Sequence, residues 1–173
     1  GYFTKDSRFH LSSENLTNPI KCYGKGVVGY VERQDIAVRE SWIDKWKVFT
    51  ARANNIGIEL NDDNFNTIIG TPNTICTETY LVIGADLDLD ESSTNNLSSY
   101  LKTKFSRYLH SLAKSSHDAT RTTYRFIPLQ DFSNNGDIDW SVSTSQIDIQ
   151  LYKKYELTND EIDYIESKIK PMQ

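Results

Sequence analysis

The residues that most often carry out chemistry, histidine and cysteine, occur here without the companions that catalysis needs. His10, His110 and His117 form no local pattern with a nucleophilic Ser or Cys, which indicates structural or surface roles. Cys22 and Cys76 lie far apart without a CxxC pair, which favours two reduced thiols over a disulfide or a zinc site. The sequence therefore predicts no nucleophile–base pair.

Two acidic motifs have spacings found at metal sites. Glu166-Ser167-Lys168 has the ExK spacing of a metal-dependent nuclease, although its helical context favours a solvated charge pair. Residues 86–91 alternate carboxylates, yet they have neither the glycine nor the distal glutamate of an EF-hand. We interpret them as the negatively charged approach to a helix N-terminus, and a small metal-dependent nuclease stays as the lowest alternative.

The stretch Gly24-Lys25-Gly26-Val27-Val28-Gly29 matches the dinucleotide-binding pattern GxGxxG literally. That pattern requires a helix opening on its glycines, whereas the residues after Gly26 favour a strand. The Asn-Pro-Pro-aromatic motif that grips a flipped adenine is also missing, because Asn18-Pro19 is followed by Ile20. The chain is therefore predicted to hold no cofactor and to carry no catalytic residue of its own.

A more diffuse set of polar and basic residues surrounds the ends of two predicted strands. Arg and Asn side chains can read guanine and adenine edges, while Lys, Thr and His can hold phosphates. The predicted DNA-binding residues are Lys25, Lys47, Arg52, Asn54, Asn55, His117, Thr120, Arg121, Thr122 and Arg125. The alternative interpretation is that these side chains form the solvated face of a sheet.

Charge is distributed unevenly along the chain. The net charge of −5 argues mildly against a nucleic-acid partner, since phosphate contacts need Lys and Arg. Residues 53–96 contain no Lys or Arg, whereas residues 97–128 contain six of them against Asp118 alone. The second segment is a predicted docking region for a polyanion, and the first is expected to face away from it or against a partner.

The first half of the chain is rich in β-favouring runs. Residues 20–23 and 27–31 flank a glycine turn and predict an antiparallel hairpin. Asp35 is expected to cap a helix from Ile36, which leads into an alternating strand at 47–52 whose polar face is basic.

A long polar excursion is predicted at 54–73, followed by one buried strand at 75–83. Residues 92–114 form the clearest helical pattern, with one apolar stripe that includes Leu97, Leu101 and Phe105. The expected continuation is a strand at 122–127 and then a polar loop anchored by Trp140.

Thr158 and Glu161 form a capping box that begins a terminal helix. The predicted fold is α+β: a mixed, mainly antiparallel sheet, one long amphipathic helix and a helical C-terminal end, in a single domain 1–173. Because the sequence begins at Gly1 rather than Met, we expect this domain to be cut from a longer polypeptide.

Several segments together resemble a known family of enzymes. They read TPNTICTETYLVIG (71–84), YLKTKFSRYL (100–109) and YRFIPLQDF (124–132), and the stretch that begins with LYKKY (151–155) continues through Pro171-Met172. With residues 47–53, these segments cover most of the chain. They resemble the C-terminal region of large bacterial restriction-modification enzymes, type IIG-like, that have an N6-adenine DNA methyltransferase core. In such enzymes this region is C-terminal, so the resemblance implies a C-terminal fragment of a larger enzyme.

The resemblance implies a cytoplasmic target-recognition domain that contacts duplex DNA in the major groove while the core flips and methylates adenine. It implies S-adenosylmethionine as the cofactor of the parent enzyme, with Mg²⁺ where the parent is also an endonuclease. The methyltransferase core of the same polypeptide is the second expected partner, and no membrane is expected. The main alternative is a structural domain that packs against that core without touching bases.

Overall fold

The computed structural model describes residues 4–54, 56, 65–114, 116, 118–170 and 172. Within these residues the strands are β1 (Pro19–Gly24), β2 (Val27–Glu32), β3 (Lys47–Ala51), β4 (Thr67–Gly70), β5 (Thr74–Cys76) and β6 (Tyr80–Ile83). The α-helices are α1 (Glu91–Lys102), α2 (Lys104–Ala113), α3 (Thr144–Lys154) and α4 (Asn159–Lys168). Two small, mostly antiparallel sheets followed by helices confirm the predicted α+β class.

The first sheet, in the order β2-β1-β5, contains the predicted hairpin. β1 and β2 pair antiparallel along their whole length, and Lys25 and Gly26 form the turn between them. Gly26 has a φ of 69°, a left-handed conformation that glycine adopts without a steric penalty. Because a strand follows the glycines where dinucleotide binding needs a helix, this stretch is a hairpin turn.

The second sheet has the order β4-β3-β6, and both faces of its central strand are covered. Val48 belongs to the core that the helices form, whereas the Phe49 ring lies 5.6 Å from the Tyr23 ring of β1. The strand predicted at 47–52 is confirmed as β3. The predicted basic polar face is wrong for Lys47 and Thr50, which are buried because helices pack on one side of the strand and the first sheet packs on the other.

The buried strand predicted at 75–83 is in fact two strands that belong to different sheets. Between them the Thr77 amide donates to the Tyr23 carbonyl at 2.9 Å, and the hydroxyl oxygens of Thr77 and Thr79 are 2.8 Å apart. The Tyr80 amide donates back to the Thr77 carbonyl at 3.2 Å. The threonines that favoured a strand by composition make local hydrogen bonds instead, and the chain turns.

The irregular excursion predicted at 54–73 contains a strand. β4 pairs antiparallel with β3, from Thr67 opposite Thr50 to Gly70 opposite Lys47. The prediction is wrong there because the β-branched run Thr67-Ile68-Ile69 outweighs the Asn and Asp residues that precede it. Residues 57–64 of the excursion lie outside the described residues.

The helix predicted from Ile36 does not form. The chain makes two short 3-10 turns at Arg33–Asp35 and Glu40–Trp42, and Arg39 between them is left-handed with a φ of 57°. The Lys47 ammonium donates to the carbonyl oxygens of Trp42, Ile43 and Lys45 at 2.9, 2.9 and 2.8 Å. These carbonyls therefore bind a side chain rather than the amides of a continuing helix.

The long helix predicted at 92–114 is broken at Thr103, which has extended backbone angles. The Thr103 hydroxyl accepts a hydrogen bond from the Ser106 amide at 3.1 Å. The carboxylate of Asp148, on α3, accepts from the amides of Lys104 and Phe105, each at 2.9 Å. These contacts satisfy the free amides at the start of α2, so the apolar stripe continues through two helices instead of one.

The C-terminal end folds as the sequence indicates. Trp140 is buried and its indole nitrogen donates to the Asp131 carbonyl at 3.0 Å, so it anchors the polar loop as predicted. The capping box of Thr158 and Glu161 begins α4.

The strand predicted at 122–127 is wrong: Arg121–Tyr124 is a 3-10 turn. None of the described helices is both long and apolar enough to cross a membrane.

Candidate nucleic-acid interface

The two predicted DNA-binding segments meet just beyond the end of β3. Ala53 and Asp118 form an antiparallel bridge, and the Ala119 amide donates to the Arg52 carbonyl at 2.6 Å. Inside β3, the hydroxyl group of Thr50 lies 2.9 Å from that of Tyr124, which belongs to the 3-10 turn after Asp118. The structure thus places residues 50–54 beside residues 118–124, although they are distant in sequence.

Lys25, at the tip of the first hairpin, joins this region by lining the same cleft as Arg52. The cleft encloses about 470 Å³. Its lining residues are Lys25, Ala51, Arg52, Ala53, Glu78, Thr79, Tyr80 and Asp118. Within the described residues the Lys25 ammonium has no hydrogen bond or ion pair, and it is available to an anion.

The Arg52 guanidinium is only weakly neutralised. It lies 4.0 Å from an Asp118 carboxylate oxygen, and both side chains are about half exposed, at 48% and 58%. Exposed pairs at such a distance contribute little and are screened by salt. An incoming phosphate can therefore compete for Arg52.

The 3-10 turn presents four polar side chains to solvent. Thr120, Arg121, Thr122 and Arg125 are all exposed. The Arg125 guanidinium lies 4.6 Å from the centre of the exposed Phe126 ring, a cation–π contact that leaves its N–H groups free to bind. Across the part of the chain that the structure describes, neither Arg121 nor Arg125 forms a salt bridge. We call Lys25, Arg52, Thr120, Arg121, Thr122 and Arg125 the basic face.

Lys47 does not belong to the basic face, which corrects its predicted role. It is 1% exposed, and burial lowers the pKa of its ammonium group to about 8. A Cβ on Gly70, its cross-strand partner, would come within 2.8 Å of the Lys47 side chain. The lysine therefore fills the core and holds backbone carbonyls, and it cannot contact a phosphate.

Asn54 also makes its hydrogen bonds within the protein. Its side-chain oxygen accepts from the Lys114 ammonium at 2.7 Å and from the Ile56 amide at 3.3 Å. The Asn54 carbonyl oxygen binds the same ammonium group. We interpret Asn54 as a loop-ordering residue, while the predicted partners Asn55 and His117 lie outside the described residues.

The basic segment 97–128 offers fewer surface cations than its composition indicates. Lys104 pairs with Glu166 at 2.5 Å, and Lys114 binds Asn54. Arg107 is 3% exposed, and it donates to the carbonyls of Lys102 and Lys170 at 3.0 and 2.8 Å. The cations of this segment that form no hydrogen bond or ion pair among the described residues are the half-buried Lys102 and the exposed Arg121 and Arg125.

The acidic motifs are used within the fold. The Asp86 carboxylate accepts from the Trp42 indole at 2.6 Å, and Asp88 pairs with Lys45. Asp90 caps α1 by accepting from the Ser93 amide at 2.8 Å, which confirms the predicted approach to a helix N-terminus. The described residues contain no group of three His, Cys, Asp or Glu side chains placed to hold a metal ion.

The ExK motif does not have the geometry of a nuclease site. It lies on α4, where residues two positions apart point to different sides of the helix. One Glu166 oxygen accepts from the Tyr152 hydroxyl at 2.8 Å, and the other binds the Lys104 ammonium at 2.5 Å. Glu166 thus connects α4 to α3 and α2.

Cys22 and His110 are buried, and Cys76 is half-buried. Cys22 and Cys76 are free thiols, and burial raises the pKa of each to about 12, which keeps both protonated. The His110 ring packs 4.8 Å from the Tyr124 ring and 5.5 Å from the Phe65 ring, and burial lowers its pKa to about 4. These residues act in packing.

Comparisons of the chain with protein-family models, curated proteins and solved structures found no match. The functional argument therefore depends on the geometry and charge of the basic face. Sequence reasoning missed Glu78 and Tyr80, which line the cleft beside Arg52. In the sequence Glu78 belongs to a distant acidic block, and only the turn between β5 and β6 brings it here.

Proposed function

We propose that this chain is the target-recognition domain of a restriction-modification adenine methyltransferase, and that it docks on duplex DNA through the basic face. The observation that carries the proposal is the backbone bridge between Ala53 and Asp118. It brings Arg52 next to the segment that contains Arg121 and Arg125, while Lys25 shares the cleft with Arg52. Two cations thus share one cleft, and the backbone bridge attaches the turn that carries the other two to the same end of β3.

The charge of the remaining surface supports this choice of partner. Phosphate contacts supply most of the affinity for DNA and need cations that are not already neutralised. The net charge of −5 is an average in which several acidic residues face lysines or helix ends. A local cluster of open cations can bind a polyanion even when the whole chain is acidic.

The parent activity is proposed from the sequence resemblance described above. In this proposal the domain positions the DNA, and a methyltransferase core in the same polypeptide uses S-adenosylmethionine to modify the adenine. The domain itself contributes contacts to phosphates and bases and no reacting group. Arg residues suit this role because their planar guanidinium groups can bind phosphates or guanine edges with two hydrogen bonds.

The proposal is tested by fluorescence-anisotropy titration of the chain with random duplex DNA at several salt concentrations. For Arg121→Ala/Arg125→Ala we expect weaker binding and a salt slope smaller by about two, or about one for each phosphate that is no longer bound. Lys153→Ala/Lys168→Ala removes the same charge from exposed positions on α3 and α4 and is the matched control. Absence of binding at low salt, or equal losses of affinity in both variants, contradicts the proposal.

A second candidate function, docking against the methyltransferase core, is favoured by an apolar groove between α2 and α4. The groove encloses about 450 Å³ and is lined by Phe105, Tyr108, Leu109, Leu157, Asp160, Glu161, Tyr164 and Ile165. Tyr164 is 55% exposed. Two results together support this function instead. The wild-type chain binds the separately produced core independently of salt and does not bind DNA, and Tyr164→Ala abolishes binding to the core.

A further inference from the structure

The cleft on the basic face contains acids as well as cations, which a purely phosphate-binding surface does not need. Glu78 and Asp118 line it together with Lys25 and Arg52. Asp118 is the acid that lies opposite Arg52, so the structure accounts for its position. Glu78 has no such partner among the described residues.

Glu78 lies on a turn that several hydrogen bonds hold. Its neighbours Thr77 and Thr79 bind each other through their hydroxyl groups, and the Arg52 amide donates to the Thr79 carbonyl at 2.9 Å. The carboxylate oxygen Oε2 of Glu78 is buried and has no hydrogen-bond partner within the described part of the chain. A buried acceptor without a donor is unfavourable and is rare in native proteins. Because Glu78 lines the cleft, a donor that enters the cleft is the partner this carboxylate is placed to accept.

We infer that Glu78 accepts a hydrogen bond from the exocyclic amino group of a cytosine in the major groove, while Lys25 and Arg52 hold the flanking phosphates. This inference rests on the proposed function. Cytosine presents an amino donor at its major-groove edge, whereas guanine presents two acceptors and thymine an acceptor and a methyl group. Adenine places the N7 acceptor beside its amino group, and that acceptor repels a carboxylate.

The same carboxylate helps to reject other sequences. A negative charge facing an acceptor edge is repelled and loses its hydration without gaining a donor. Glu78 therefore lowers affinity for the wrong base pair, and the nearby cations keep the region attractive to the backbone. Specificity and affinity in this cleft are assigned to different side chains.

The test is selection of bound sequences from a random duplex library by the wild-type chain and by Glu78→Gln. The wild type is expected to select cytosine at one position. An amide both donates and accepts, and it fits the adenine N6 and N7 edge, so Glu78→Gln is expected to shift that position toward adenine. Preferences at the other positions stay unchanged. Glu156→Gln, the same change at an exposed residue after α3, is the control and keeps the cytosine.

A second measurement does not depend on a variant. The wild-type chain is titrated with the selected duplex and with one in which that cytosine is N4-methylcytosine, whose methyl group replaces the major-groove N–H. We expect binding to weaken roughly tenfold, the cost of one mismatched base pair. Unchanged base preferences in Glu78→Gln, or equal affinity for both duplexes, overturn the assignment of Glu78 alone. Failure of the wild type to bind any duplex overturns the proposed function as well.

Discussion

Several charged residues of the helical half are used within the fold, whereas most cations at the end of the sheets are not. Among the helices, Lys104 pairs with Glu166, Arg107 binds backbone carbonyls, and Asp148 holds the amides that begin α2. At the end of the sheets, Lys25, Arg121 and Arg125 have no acidic partner among the described residues. The number of charges in a segment therefore says little about which charges a ligand can reach, since the fold decides which ones it uses.

The largest effect is expected at Lys47, which departs from this comparison because it is a buried cation within the sheet half. Lys47→Ala creates a cavity and removes the ammonium donor from the carbonyl oxygens of residues 42, 43 and 45, of which the first two keep a backbone amide donor, so we expect a decrease of about 3 kcal/mol in unfolding free energy. Urea denaturation measures it, with Lys153→Ala as the surface control. DNA affinity of the folded variant is expected to stay unchanged, and a reduced salt slope contradicts the buried role.

The next effect concerns His110, whose pKa burial lowers to about 4 from the ordinary value of 6.5. Between these values the unfolded chain binds a proton that the folded chain excludes, so acidification through this window destabilises the fold. His110→Phe removes that proton uptake, and by pH 4 it is expected to keep about 2 to 3 kcal/mol that the wild type loses. Parallel stability curves for the two proteins between pH 7 and 4 contradict this prediction.

Asp148 sharpens the same experiment because its titration has the opposite sign. Burial raises the pKa of its carboxyl group to about 6, although the amides of Phe105 and Lys104 counteract that shift. The folded chain then holds a proton that the unfolded chain releases, and stability is lost as the pH rises through about 6. In Asp148→Asn the unfolding free energy is expected to fall more steeply on acidification than in the wild type, because the compensating group is gone.

A smaller effect is expected at the break between α1 and α2. Thr103→Ala removes the hydroxyl that caps α2 and is expected to cost about 1 kcal/mol in unfolding free energy. The helical content measured by circular dichroism should not change, since Asp148 still holds the first amides of α2. A gain in helicity would mean that the threonine alone separates the two helices.

The smallest expected change in stability is at Arg52. Because its pair with Asp118 is long and exposed, Arg52→Ala is expected to change the unfolding free energy by less than about 0.5 kcal/mol. The same variant should reduce the salt slope of DNA binding by about one. A clear loss of stability without a change in DNA binding assigns Arg52 to the fold rather than to the basic face.

Local patterns predicted the local structures and missed the breaks that distant residues create. The hairpin around Gly26, the Trp140 anchor and the capping box at Thr158 depend on neighbours in sequence, and all three are confirmed. The break at Thr103 depends on a carboxylate 44 residues away from Lys104, which periodicity cannot reveal. An apolar stripe looks the same whether one helix or two carry it.

The candidate site shows the same limit. Lys25, Arg52, Arg121 and Arg125 were predicted from residue type, and the structure places them at the surface. Lys47 looked equivalent to them because alternation in a strand indicates a solvated face, and burial on both sides of β3 removes that face. Glu78 reaches the cleft because it lies on a turn, whereas the sequence pattern predicted that it lies in the middle of a strand.

The bridge between Ala53 and Asp118 also determines what can be exchanged in this protein. It closes the chain into a large loop whose interior contains β4 to β6 and the first two helices. The basic face lies where the two ends of that loop meet and at the tip of the separate hairpin at Lys25. Its side chains project from turns and strand ends rather than from α-helices. Changes of sequence or length in these turns are therefore expected to alter the basic face while β4 to β6 and the first two helices keep their packing.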